Sequence, residues 1–468
     1  MRKNRIKRTI GLSILLAIIV FAGVMLVYSL FFSKDLREHF TFGFVQSETV
    51  FIVLILASLL PILLFSLAIW LFKTRKSVVA EPLEDMSASQ ENENQWQVEA
   101  PEPEEAREEP VRFGMLTKLD EEMSARPMPY YDDKITLEEL CERFRNYSAN
   151  QLGLYYDISS IRQFIAGLSV THIMIMQGMS GTGKTSLAFA FGQFLRNLST
   201  IVPIQPMWKE RTDLLGYYNE FTKKFNETQL LQKMYEANYS KDIYVTVLDE
   251  MNIARVEYYF AEFLSLLEIP DARGRQLHII ADEKENDPKL LHKGMMQLPD
   301  NMWFIGTANN DDSTFAISDK VYDRAMVINL DKKCEAFEAP PTEGLRLSID
   351  RFKKLVEEAR KEYAVTRRNR RRIAKLDKYL AEHFRVSFGN RIMKQIHTYV
   401  PVYLACGGEE LDAIDDILAK KVLRKLEALN PIYVRNSAEG LRNYLDELFG
   451  QDRMKVCKDY LEHLERTV

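Results

Sequence analysis

The sequence predicts an α/β protein: a parallel sheet with helices on both faces, a small all-helical unit after it and a pair of membrane-spanning helices before it. Three observations carry this. Between residues 135 and 332, the apolar runs THIMIMQ, IVPIQP, IYVTVLD and MWFIGTA alternate with stretches of helical apolar spacing, and strands alternating with helices pair in parallel and need cover on both faces. Beyond residue 332 the strand-like runs stop and only amphipathic helical stretches remain. Ahead of the sheet, Ile10 to Phe32 and Val50 to Phe72 each run roughly 23 residues without a charge, where about 20 suffice to cross a bilayer as a helix.

These runs define residues 1–76 as a transmembrane hairpin with spans at about 10–32 and 50–72. Five basic residues precede the first span and three follow the second, while the connecting loop holds two basic and three acidic residues. The positive-inside rule then puts both termini in the cytoplasm, as a multi-pass protein of the inner membrane. Residues 77–134 read as a linker, because Glu81 to Pro110 carries eleven acids and one arginine with few apolar residues, a composition that cannot support a core. The net charge of -5 is unevenly placed: Glu81 to Pro110 sums to -10, residues 1–80 to +7 and residues 111–468 to -2, so the cytosolic part is nearly neutral and shows no global sign of nucleic-acid binding. Cys141, Cys334, Cys406 and Cys457 are far apart with no CxxC, which indicates neither a zinc site nor a disulfide framework.

Residues 135–332 form the sheet unit. LEELCERFRNYSANQLG and ISSIRQFIAGLS are helical, THIMIMQ is a buried strand ending at glycine, and TSLAFAFGQFLRNL is the next helix. A long, mostly helical connection separates IVPIQP from IYVTVLD; ARVEYYFAEFLSLLE is one helix, and QLHII and GMMQL pair as an inserted hairpin before MWFIGTA. Residues 333–468 are helical throughout.

Gly178, Met179, Ser180, Gly181, Thr182, Gly183, Lys184 and Thr185 fit the phosphate-binding pattern GxxxxGK[ST], after a strand and before a helix, with Ser186 next in the cofactor-binding run. Glycines let backbone N–H groups turn inward around phosphates, and the helix N-terminus favours negative charge. Lys184 would reach the phosphates and Thr185 would hold Mg²⁺. About 65 residues later the strand IYVTVLD ends in Asp249 and Glu250. Such an enzyme needs one acid for the metal shell and one base for the attacking water, and these two fit in that order. Met251 reads as packing, and Asn252 reads as a cap for the following helix or as an amide that helps position the water, the cap being preferred.

GMSGTGKTS, PMWKERTDLLGYYNEFTKKF, LDEMNIARVEYYFAEFLSLLE, GTANNDDSTFAISDKVYDRAMVINL and FGNRIMKQ together resemble the AAA+ ATPases, and within them the McrB-like and dynein-related group that neighbours the MoxR chaperones. The resemblance covers roughly residues 135–450. It implies a P-loop ATPase core with a helical lid, ATP and Mg²⁺ as cofactors with GTP left open, and assembly as a ring, most often a hexamer. It places a sensor amide at Asn309, an arginine finger for the neighbouring subunit at Arg324 and a second sensor at Arg391 in the lid. The finger segment departs from the family pattern: a run of two or three arginines is reduced here to Asp-Arg-Ala-Met. Asp213 to Tyr218 and the hairpin near Lys293 to Leu298 become candidates to face a pore, against the plainer reading that Trp208, Tyr217 and Tyr218 are packed aromatics. TRRNRRRIAK could meet phosphates of DNA or lipid, or be a solvated helix face. Three functions follow: a McrB-like remodelling motor with a separate effector, a MoxR-like chaperone of a membrane complex, or a nucleotide-gated scaffold.

Overall fold

Ile173 to Gln177 alternate between two environments, and that alternation organises the molecule. Met174 and Met176 enter one core while Ile173 and Ile175 enter another, as the period of two in a strand requires when both faces are covered. The computed structural model describes residues 111–466 apart from 133, 310–313 and 332. The two apolar runs expected to span a membrane lie outside the described residues, among which no helix is long and apolar enough to cross one.

The strands are β1 (Ile173–Gln177), β2 (Thr200–Pro203), β3 (Gly216–Asn219), β4 (Lys224–Glu227), β5 (Tyr244–Asp249), β6 (Gln276–His278), β7 (Leu291–His292), β8 (Met295–Gln297), β9 (Met302–Ala308) and β10 (Met326–Asn329). Five form the main sheet in the order β10-β1-β9-β5-β2, parallel throughout. β9 is buried at every position, as expected for a strand flanked on both edges and both faces. Because β9 lies between β1 and β5, the carboxyl ends of these three strands sit side by side. Crevices at the carboxyl ends of such sheets are where ligands bind.

One face of the sheet is covered by the helices Leu137–Leu152, Ile158–Val170 and Lys184–Phe194, and its core runs on into the helical unit. Thr136 and Asp157 cap the first two of these helices through their side chains. The other face is covered by Gln229–Ala237 and the helices after β5. Trp303 of β9 meets Phe352 of the helix Ile349–Glu362 edge-on, with centroids 5.7 Å apart. Sheet unit and helical unit therefore share a core.

Three expectations are corrected. The assigned linker of residues 77–134 ends well before 134: Phe113 and Leu116 are fully buried, and Gly114–Ala125 is a helix. The acidic composition stops at Pro110, and Phe113 then stacks on Phe225 with centroids 4.9 Å apart. The mostly helical connection from β2 to β5 contains the antiparallel pair β3 and β4. The single helix over ARVEYYFAEFLSLLE is two short ones, Val256–Tyr259 and Ala261–Leu266. They break at Phe260, whose ring is packed flat on Phe263 at 4.8 Å and edge-on to Phe304. The inserted hairpin is present, with β6 paired to β8 and the short β7 on the other edge of β8.

His172 supplies a pH-dependent element at the start of β1. Its ring stacks on Trp303 with centroids 4.9 Å apart, and burial pushes its pKa down to about 4 against the pull of Asp300. A folded pKa below the unfolded value means the unfolded chain takes up a proton that the folded one refuses, so stability drops as pH falls from about 6.5 to about 4. We expect His172→Gln to remove on the order of 2 kcal/mol of that loss. Denaturant midpoints of both proteins across this range measure it, and parallel profiles would refute the assignment.

Candidate nucleotide site

The loop after β1 is shaped by glycines that no other residue could replace. Gly178 has φ +142°, and a Cβ there would lie 2.3 Å from the carbonyl oxygen of Leu330. Gly183 has φ +93° and ends the loop as the cap of the helix Lys184–Phe194, with no side chain satisfying the helix's first N–H groups. Uncapped N–H groups in a glycine loop are what an anion would occupy. The Lys184 side chain is buried and donates to the loop carbonyls of Gly178 at 2.9 Å and Met179 at 2.7 Å. Met179, Ser180 and Gly181 form the exposed crest, Thr182 Oγ1 donates to Met179 O at 2.9 Å, and Ser186 is half-buried in the first helical turn.

Thr185 and Asp249 meet as the phosphate-loop reading requires. Thr185 Oγ1 donates to Asp249 Oδ1 at 2.8 Å, so a hydroxyl and a carboxylate converge beside the loop, the oxygen donors that Mg²⁺ takes. A nucleotide phosphate with Mg²⁺ fits these residues on that geometry. Thr307, which the sequence reading overlooked, completes the set. Its hydroxyl donates to the same Asp249 oxygen at 2.9 Å and accepts from the Glu250 N–H at 2.9 Å. Glu250 is exposed and held at φ +51°, ψ +49°, a conformation that costs a non-glycine residue on the order of 1 kcal/mol and is found at functional sites. Thr307 is on the central strand two residues before Asn309, and that strand position was the available clue.

Asn252 is not the helix cap expected. Its Nδ2 donates to the carbonyl of Asn309 at 2.9 Å, and Arg255 occupies the cap position of Val256–Tyr259 without a side-chain bond. Met251 to Ile253 form a 3-10 turn instead, which turns the Asn252 amide toward the end of β9. Glu250, Asn252 and Asn309 are thereby tied into one unit. Met251 is fully buried, as packing demands.

Arg324 and Arg391 come together on one carboxylate. Arg324 donates to Glu268 Oε2 at 2.9 Å and to Lys320 O at 2.7 Å, while Arg391 pairs with the other oxygen of Glu268. Among the described residues no hydrogen bond or ion pair joins Arg391 to residues 178–185. Two cations on one partly exposed carboxylate leave a positive patch at the surface. Spacing in the sequence gave no hint of Glu268, since the contact is made between segments far apart in the chain.

A glycine loop closing on an uncapped helix start, next to a Thr–Asp–Thr hydrogen-bonded set at adjacent strand ends, defines a P-loop nucleotide-binding domain. Residues 173–325 match the family model of the AAA domain (dynein-related subfamily). A domain of this kind implies nucleotide binding and hydrolysis. Among solved structures, a full-length MCM homolog from Methanopyrus kandleri is similar at 9% identity and a TM-score of 0.34, covering 63% of this chain. The match spans 64% of that homolog's length. No curated protein matches.

Proposed function

We propose that this chain is a membrane-anchored, McrB-like ATPase whose subunits form a ring and spend Mg²⁺-dependent ATP hydrolysis on remodelling a macromolecular partner, together with a separate effector. The observation that carries the hydrolytic reading is the Thr185–Asp249–Thr307–Glu250 set beside the loop. Mg²⁺ would supply charge neutralisation at the phosphates, held by Thr185 and Asp249. Lys184 binds phosphate, Glu250 accepts the proton of a water, and Asn309 orients that water under the hold of Asn252.

Assembly follows from Arg324. Its guanidinium is held with Arg391 on Glu268, and Arg324 serves a phosphate bound by the neighbouring subunit. An arginine supplied in trans contributes roughly 10³–10⁵ in rate. Tyr217 and Phe221, both exposed on the β3–β4 pair, and Lys293 and Met295 near the β7–β8 turn would grip the partner in the pore. Arg367, Arg368, Arg370 and Arg371 are exposed at a helix N-terminus, where cations are unfavourable; there they would meet phosphates of DNA or lipid. Two apolar runs would anchor the ring in the inner membrane with the ATPase in the cytoplasm.

The test is complementation. Arg324→Ala and Glu250→Gln chains are each expected to be inactive alone. Mixed, they regain turnover, because an intact Arg324 from the second completes an intact Glu250 site in the first. A mixture as inactive as its parts would sink the trans arrangement.

A further inference from the structure

The turn that carries Arg324 ends the short helix Asp319–Tyr322 and presents a row of backbone carbonyls. One buried ammonium takes three of them. Lys421 Nζ donates to Tyr322 O at 2.7 Å, to Asp323 O at 3.4 Å and to Ala325 O. Lys421 is the last residue of the helix Glu410–Lys421 in the helical unit and is 5% exposed. Two more groups of that unit reach the same turn: Gln395 Nε2 donates to Asp323 O at 3.4 Å, and Arg424 lies over the Tyr322 ring, 3.0 Å from its centroid, while pairing with Asp319 at 3.2 Å. From the sheet side, Thr171 Oγ1 donates to the Arg324 carbonyl at 2.9 Å, and the Gln177 amide donates to the Tyr322 hydroxyl. Gln177 is the residue before Gly178.

Burying an ammonium is costly unless its donors are matched, and an apolar side chain would fill the space at less cost. Here the three donors are spent on the backbone on either side of Arg324, which fixes the direction in which that residue leaves the turn. We propose that Lys421 is the positioning residue for Arg324, joining the finger turn to the helical unit so that movement of that unit in one subunit is passed to the active site of the next. This rests on the reading of Arg324 as serving the neighbouring site.

The full chain carrying Lys421→Met is the test. We expect nucleotide affinity within about twofold of the parent and kcat lower by roughly ten- to a hundredfold, a split that places the loss after binding. Mixing with Glu250→Gln subunits, which bring an intact finger turn, should restore turnover. Undiminished kcat beside an inactive Arg324→Ala chain overturns the inference and leaves the proposed function standing; full activity in both overturns the two together. A kcat loss that Glu250→Gln subunits do not rescue also overturns it, because the defect then lies within the subunit's own site. If Lys421→Met does not fold, Gln395→Leu removes a weaker bond to the same turn. A few-fold rescuable loss there supports the role, and unchanged kcat refutes it.

Discussion

Replacing Lys184 by alanine should abolish Mg²⁺-dependent nucleotide turnover and weaken nucleotide binding by roughly ten- to a hundredfold. Its ammonium lies buried in the loop, satisfied by the carbonyls of Gly178 and Met179, and is ready to exchange them for phosphate oxygens. A hydrogen bond to a charged group is worth about 1.5–3 kcal/mol, which sets the loss in binding. The larger loss in rate arises because charge on the transferred phosphoryl group is left without its partner. Phosphate release and fluorescent-nucleotide titration measure the two separately. Turnover unchanged in Lys184→Ala would remove the phosphate-loop assignment.

Glu250→Gln should behave oppositely with respect to binding. The substitution keeps the shape and the N–H bond to Thr307 but removes the carboxylate proposed to accept a proton. We expect hydrolysis to fall by at least about 10²–10³ while nucleotide stays bound, so that the proposed ring accumulates with ATP. Light scattering during chromatography with ATP and Mg²⁺ reads this. A nucleotide-loaded monomer would count against a site shared between subunits. The pair of variants separates failure to bind from failure to react, which neither does alone.

Much of the nucleotide site was legible because its chemistry depends on short, contiguous stretches. GMSGTGKT must be a glycine loop whatever surrounds it, since Gly178 and Gly183 occupy conformations closed to other residues. The strand ending in Asp249 and Glu250 was legible for a similar reason: Tyr244 to Leu248 bury their side chains on both faces and the chain then emerges at Asp249. Asn252 was misread as a cap because a capping amide and a bridging amide look alike in sequence. Only the 3-10 turn and the neighbouring end of β9 distinguish them. Phe260 was placed within one helix because its apolar spacing fits, yet its backbone leaves the helical region there, with φ -108° and ψ 7°.

What the sequence by itself determined is everything that acts within a few residues: the phosphate loop, the acidic pair, the alternation of strands and helices, and the two apolar runs. Their physical causes are local, being backbone freedom at glycine, the period of a strand and the length of an apolar run. What only the tertiary structure decided are the pairings across the fold: Thr307 with Asp249 and Glu250, Asn252 with Asn309, Glu268 with two arginines, and Lys421 with the turn of Arg324. A buried polar group must find a partner wherever the strand order places one, and the order β10-β1-β9-β5-β2 brings together residues that no spacing along the chain connects.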